Sequence, residues 1–142
     1  MTAAALLRKL ESFDIVNEIY KCFDENKAEL EYLNRKQWED GRKADGSKTE
    51  KYQSPEYARF KVEMNPEAGG TMDFMLSHDL ERNLKVTREG GDLLFDSGDW
   101  KADSLKARFG ENIFGLSPDS KGQAAQIIND ALLTEIETRI GL

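Results

Sequence analysis

Leu84-Lys-Val-Thr-Arg-Glu-Gly-Gly-Asp-Leu-Leu-Phe95 is the stretch that decides the fold class. Two short runs, Leu84 to Thr87 and Leu93 to Phe95, flank Glu89-Gly-Gly-Asp92. Consecutive glycines accept the positive φ angles of a tight turn, so the spacing predicts a β-hairpin. A lone hairpin is marginal in water and must pack on helices or pair with another strand. The chain offers few other strand candidates. A two-stranded ribbon would leave unpaired backbone on both edges, and a neighbouring subunit is one way to satisfy it.

Outward from the hairpin the pattern is helical. Downstream, Asp99 is the expected cap of a short helix through Phe109, with Ala102, Leu105 and Phe109 inward and Gly110 as the stop. Ser117-Pro118-Asp119 has the cap, first-turn proline and acid that open a helix. Ala124, Ile127, Ile128, Ala131, Leu132, Ile136 and Ile140 give that helix its apolar face, and Gly141 ends it. Upstream, Thr71 to Arg82 is ambiguous; Phe74, Met75, Leu76 and Leu80 fit a short helix. Ser54-Pro55-Glu56 opens another, whose buried side is expected to hold Tyr57, Ala58 and either Phe60 or the stem of Lys61.

The N-terminal part reads as one long helix from about Ser12 to Trp38. Val16, Ile19, Phe23, Asn26, Leu30, Leu33 and Gln37 alternate steps of three and four and so share one stripe, widened by Ile15, Tyr20 and Cys22. Asn26 and Gln37 are polar exceptions; a partner contact or a hydrogen bond to a core neighbour would each account for Asn26. Glycine and charge mark Gly41 to Gln53 and Asn65 to Gly70 as loops expected to be mobile, because few apolar anchors offset their ordering entropy. The whole predicts a single α+β domain over residues 1–142, with long N- and C-terminal helices packed on a small antiparallel hairpin. A mainly α fold carrying one hairpin is the alternative.

The 142 residues are 39% hydrophobic, enough for one real core, and carry a net charge of −7. An acidic balance argues against a general nucleic-acid binder, which needs a basic face for phosphates. Arg35, Lys36, Arg42, Lys43, Lys48 and Lys51 lie close in sequence, but a solvated charged loop accounts for them. The single cysteine, Cys22, rules out an internal disulfide framework and fits a reducing compartment. With no neighbouring His or Arg it reads as a small apolar filler. There is no transmembrane run, and Met1 to Leu10 is too short and charged for a signal peptide. The chain is expected to stay where it is made or to join an assembly there.

Reaction chemistry is hard to find. With one histidine, His78, neither a histidine-based triad nor a multi-histidine metal site is expected. Beside Asp79 it could tune a proton transfer; a polar surface residue is the plainer reading. Asp45-Gly-Ser-Lys-Thr49 lacks the first glycine and the preceding strand of a phosphate loop. Asp92, Asp96, Asp99 and Asp103 could gather around a divalent ion, but their spacing fits no EF-hand and capping explains Asp99. No catalytic residue, metal ligand, cofactor, small-molecule substrate or specific nucleic acid is assigned. The aromatics say more. Trp38, Tyr52, Tyr57, Phe74, Trp100 and Phe114 fall at element ends and loops, where they either meet a partner or plug the core beneath the loops. With Leu84, Val86 and Phe95 of the hairpin they form the candidate protein interface.

Three blocks carry a resemblance. The first is Leu33-Asn-Arg-Lys-Gln-Trp38, followed by Glu39-Asp-Gly41 and Asp45-Gly46. The second is Tyr52-Gln-Ser-Pro-Glu-Tyr57-Ala58 with Lys61, leading to Thr71-Met-Asp-Phe74. The third runs from Asp99-Trp-Lys101 through Phe109-Gly110 to Ile113-Phe-Gly-Leu116. Over roughly residues 30–118 their order and spacing resemble small virion proteins of tailed phages and prophage-like elements of Bacteroidetes hosts. More distantly, the middle resembles tail-completion and head–tail connector proteins. The motif near Thr71 there reads Thr-Gly-Asp-Phe; Met72 stands at the glycine, which leaves the turn geometry open. The resemblance implies a structural role without enzymatic activity: a neck or tail ring subunit joining capsid portal to tail. It implies other virion proteins and further copies of the chain as partners, and a place in the virion after assembly in the bacterial cytoplasm. Two other readings stand beside it: a small cytoplasmic adaptor or regulator, monomeric or dimeric, and a metal-dependent hydrolase built on the Asp92 to Asp103 acids.

Overall fold

In the computed structural model, residues 2–74 and 79–141 are described. Among them the helices are α1 (Ala3–Glu11), α2 (Ile15–Glu25), α3 (Lys27–Glu39), α4 (Pro55–Met64), α5 (Asp79–Arg82), α6 (Ala102–Phe109) and α7 (Pro118–Ile140). Between α5 and α6 run strands β1 (Leu84–Glu89) and β2 (Asp92–Ser97). The architecture is α+β, with one small antiparallel hairpin among the described residues. No described helix is long and apolar enough to cross a membrane.

The hairpin forms where the glycines predict it. Glu89 pairs with Asp92 across the two-residue Gly90-Gly91 turn, and the register runs through Val86 opposite Phe95 to Leu84 opposite Ser97. Gly90 sits at φ +60° while Gly91 is not left-handed, the pattern of a turn that needs glycine at its first central position. Alternation puts Leu84, Val86 and Arg88 of β1 on one face with Leu93, Phe95 and Ser97 of β2. That face bridges two apolar clusters. Leu84 joins Trp38, Leu80, Ala102, Ile113 and Phe114, while Val86 joins Leu30, Leu33, Leu116 and Ala124; Phe95 packs against both. Burying each such side chain contributes about 1.5–3 kcal/mol, and this is what holds a ribbon that would not stand alone.

The N-terminal stripe is real, but it is not carried by one helix. Asn26, at φ −117° and ψ 24°, ends α2 and precedes α3. Its side chain donates to the Cys22 carbonyl at 2.7 Å, an acceptor from the last turn of α2. The polar exception in the stripe is thus the breakpoint. The α3 half is the buried one: Leu30, Leu33, Asn34, Gln37 and Trp38 are all enclosed. On α2 only Glu18 and Cys22 are buried, and Val16 is half exposed. Ahead of both lies α1, capped by Thr2 Oγ1 accepting from the Ala5 amide at 3.1 Å, with no buried residue.

Most helix signals resolve as expected. Ser54 accepts from the Tyr57 amide and Ser117 from that of Ser120, each at 3.2 Å, with Pro55 and Pro118 behind them. Gly141 closes α7 in the left-handed region. In α4 it is Lys61 that is buried, whereas Phe60 is exposed. Asp99 does not cap α6 directly. Its carboxylate accepts from the Lys101 amide at 2.8 Å in a turn just upstream, and the helix begins at Ala102. Of the helix considered over Thr71 to Arg82, the structure describes Asp79–Arg82 as helical. Met75, Leu76 and His78 lie outside the described residues. Thr71 instead bridges Lys51 in the β manner, and Met72 donates to the Glu50 carbonyl at 2.9 Å. Phe74, not Met72, is left-handed, at φ 57°, so this conformation has no need of a glycine at position 72.

The segment from Gly41 to Gln53 is better anchored than its composition predicts. Gly41 is buried, its carbonyl accepts from the Thr49 amide at 2.9 Å, and the Ala44 amide donates to the Asn112 carbonyl at 2.7 Å. These anchors are backbone hydrogen bonds, one within the segment and one to Asn112 far along the chain, which a count of apolar side chains does not register.

Candidate interaction surface

The polar residues of α3 face one short segment. Gln37 donates from Nε2 to the Gly115 carbonyl at 2.7 Å and accepts at Oε1 from the Ser117 amide at 2.7 Å. Asn34 Oδ1 accepts from the Gly115 amide at 2.9 Å, and Trp38 Nε1 donates to the Ile113 carbonyl at 2.6 Å. The Ile113-Phe-Gly-Leu116 block is therefore a backbone loop read by three side chains of the block Leu33 to Trp38. Two of the three blocks noted in the sequence are locked together, and the lock is internal.

This corrects part of the candidate interface. Trp38 is fully buried, edge-on to Phe114 at 5.4 Å and to Phe74 at 5.8 Å. Leu84, Val86 and Phe114 are buried as well. One chain supplies all the cover these four need, so none offers side-chain surface to a neighbour; here the aromatics at element ends plug the core. Phe74 and Phe95 are half-buried against the same clusters. Tyr52 and Tyr57 are half-buried and stack edge to face at 4.9 Å. They line a 320 Å³ hollow with Met72, Phe74, Leu105 and Phe109. Burial and the nearby Asp73 carboxylate push the Tyr52 hydroxyl well above the ordinary tyrosine range. Trp100 alone of the nine stands out in solvent, 85% exposed, with the Lys101 ammonium 5.9 Å from its ring.

The charged groups are largely paired. Lys36 meets Glu67 at 2.9 Å, Asp40 at 3.4 Å and Glu39 at 3.7 Å, and the hydrogen bond to Glu67 holds its ammonium well above the usual lysine range. Lys43 binds Glu50 at 3.1 Å. The Arg35 to Lys51 run is thus threaded with acids and makes no continuous basic face. Among the four aspartates weighed for metal, Asp96 takes Lys106 at 3.2 Å and Asp103 takes the same lysine at 3.4 Å. Asp99 is turned into its backbone turn. Among the described residues no group of three His, Cys, Asp or Glu is placed to hold a metal ion. The Asp45 to Thr49 stretch is a tight turn in which Asp45 accepts from the Ser47 amide and hydroxyl, with no helix following to cradle a phosphate. Cys22 is buried, and burial pushes its thiol up, away from the thiolate a nucleophile needs.

The hairpin edges differ from each other, which the sequence could not foretell. Glu31 on α3, which packs against β1, accepts from the Val86 amide at 3.1 Å and so meets one outward group of the β1 edge. Glu31 was missed because its stripe position is that of a solvated acid; only the contact of α3 with β1 gives it a role. Because the Val86 amide points away from β2, its partner Phe95 points its own amide and carbonyl away from β1, and so does Leu93. Among the described residues, neither has a backbone partner outside the hairpin. Beside them opens a groove of about 660 Å³ between β2 and the first turns of α7. No family model matches the chain, and neither a curated protein nor a solved structure matches it.

Proposed function

We propose that the chain is a structural virion protein of a tailed phage, a neck or tail ring subunit that joins the capsid portal to the tail. It acts by binding other virion proteins and further copies of itself, in the virion, after assembly in the cytoplasm of the host bacterium. It has no catalytic role in this reading. The observation that carries an assembly role is Trp100. An indole left 85% in water on a turn between a strand and a helix contributes nothing to the core of its own chain. Tryptophan is enriched among the residues that dominate protein interfaces, because it buries a large area at small entropic cost. The resemblance of the three sequence blocks supplies the virion context. The open edge of β2 supplies a second place where a neighbour would satisfy groups this chain leaves unpaired.

Mass spectrometry of purified virions from a host carrying the gene tests the reading. The chain should be present in a small, fixed copy number, and an image reconstruction of the neck should show Trp100 covered by a neighbouring subunit. Absence of the chain from particles whose other neck and tail proteins are all detected would overturn it. In that case a stable cytoplasmic complex with a different protein would favour the adaptor reading.

A further inference from the structure

We propose that β2 and the groove beside it accept an extended segment of a different protein, as a third strand alternating apolar with basic residues. The proposal rests on the reading above that the chain works by binding polypeptides, and it names the surface and the chemistry of the partner.

Three features place the strand. The first is the unsatisfied edge: Leu93 and Phe95 point amide and carbonyl groups outward, and β1 cannot reach them. The second is the groove, which is lined on the strand side by β2 and the adjacent turn with no contribution from β1. Its inner wall is apolar, made by Phe23, Leu116, Ala124 and Ala125. A strand added to β2 would turn every second side chain onto that wall, in line with Leu93 and Phe95. Main-chain bonds would give affinity and the wall would select apolar residues at those positions.

The third feature is charge, and it chooses between partners. The remaining side chains of an added strand would lie on the opposite face, beside Asp92, Leu94 and Asp96. Asp96 is shared with Lys106, but Asp92 stands directly opposite Glu89, and no described cation lies within ion-pair distance of either. Like charges facing each other across a ribbon destabilise it, so a lysine or arginine arriving beside Asp92 relieves a repulsion as well as making a pair. Asp45 at the rim adds a further carboxylate, against the single Lys121 on the α7 side. The same argument disfavours a second copy of this chain in the register centred on Leu94. Two β2 edges paired antiparallel about Leu94 would set Asp92 of each against Asp96 of the other.

The test uses the whole chain labelled for amide NMR and short synthetic peptides alternating valine with lysine. Peptides with glutamate in place of lysine are the control. The expected result is saturable shifts centred on the Leu93 and Phe95 amides with the lysine peptide, and binding at least about tenfold weaker with the glutamate peptide. Asp92→Lys should weaken the lysine peptide while raising the unfolding temperature, since it removes the repulsion with Glu89; a merely structural role for Asp92 would not separate the two. Ala125→Trp should fill the groove and abolish the shifts with the fold intact. Lack of any shift at Leu93 and Phe95, or equal binding of both peptides, would overturn the proposal. So would concentration-dependent shifts of these amides without peptide, which would assign the edge to a second copy. Virion mass spectrometry reads the assembly role separately. Presence in particles with no peptide binding removes only this proposal, and peptide binding with absence from particles removes only the virion role.

Discussion

Lys61 Nζ lies 2.9 Å from Asp73 Oδ1, and the fold leaves only 7% and 3% of the two side chains exposed. Asn65 donates to the other carboxylate oxygen at 3.1 Å and to the Glu39 carbonyl at 2.7 Å. The pair thus ties α4 to the segment that follows Thr71 and, through Asn65, to the end of α3. Removing one member of a buried pair strands the other without water, whereas replacing both by apolar groups avoids that cost. Asp73→Leu should therefore lower stability by about 3–5 kcal/mol, and Lys61→Met with Asp73→Leu by clearly less than the two single changes added. Urea unfolding of the four proteins in one cycle checks this; strict additivity would show that the two groups are not coupled.

Gln37 carries a similar weight with neutral groups. Its amide serves both the Gly115 carbonyl and the Ser117 amide, and Ser117 is the cap of α7. Gln37→Leu keeps the volume but leaves a buried donor and an acceptor unmet, at about 1–3 kcal/mol for each. Gln37→Glu keeps the acceptor for Ser117 but sets a buried carboxylate against the Gly115 carbonyl, so its cost should exceed that of Gln37→Leu. Thermal unfolding ranks the three, and hydrogen exchange should place the loss of protection at the Ser117 amide in Gln37→Leu alone.

Gly41 is required for two separate reasons. Its φ of +67° is a conformation that other residues adopt at a cost. An added Cβ would also collide with Thr71 Oγ1 and lie 3.1 Å from the Ala68 carbonyl. The Thr71 hydroxyl is not free to swing away, because it donates to that same Ala68 carbonyl at 2.7 Å. Gly41→Ala should cost about 1–3 kcal/mol. Gly46→Ala, with φ +84° but open space around it, isolates the backbone part and should cost less. Equal losses in urea unfolding would mean that the Thr71 contact is unimportant.

How much of this was legible follows from what each signal measures. The hairpin, the serine caps and the start of α7 were readable because they depend on local backbone chemistry: Gly90 at a positive φ, Ser54 and Ser117 beside prolines. The break at Asn26 was visible as a polar residue in an apolar stripe, but periodicity continues across it and could not separate α2 from α3. The core role of Trp38 and Phe114 was not readable, since an aromatic at a helix end looks the same whether a loop or a partner covers it. The cover comes from Ile113 to Ser117, some eighty positions away, bound by Gln37 and Asn34. Tertiary hydrogen bonds of that kind leave no periodic trace. The open edge of β2 was half visible: the sequence shows a lone ribbon, and only the fold shows that α3 lies against β1 and that Glu31 meets its Val86 amide.

Tyr52 gives a pH dependence whose sign is fixed. Burial, then the Asp73 carboxylate, raise its hydroxyl above the ordinary value in the folded state. A group whose folded pKa is raised contributes stability that is fully present below its unfolded pKa, about 10 for tyrosine, and is lost as pH rises towards the folded value. Stability should therefore fall above about pH 10. Lys36 and Lys106, raised by Glu67 and Asp96, act in the same direction. Tyr52→Phe removes only the tyrosine part, so its stability should fall less steeply with pH than that of the parent. An ultraviolet titration of the folded chain should show one of the four tyrosines ionising last, and that phase should vanish in Tyr52→Phe. Its persistence in the variant would assign it to another tyrosine.

Trp100 separates stability from assembly. With 85% of its surface in water, the indole has little folding energy to lose. Trp100→Ser should shift stability by no more than about 0.5 kcal/mol, the ordinary range for a surface substitution. The Lys101 ammonium 5.9 Å from the ring adds at most a weak exposed contact, and the buried core around Trp38 is untouched. An interface anchor behaves differently: truncating a buried tryptophan at a contact typically costs 2 kcal/mol or more, about thirtyfold in affinity. The two readouts are urea unfolding of the free chain and incorporation of the variant into virions in competition with the parent. Unchanged unfolding with strongly reduced incorporation is the expected outcome. Equal incorporation of both chains would remove Trp100 from the interface and, with it, the observation on which the assembly role chiefly stands.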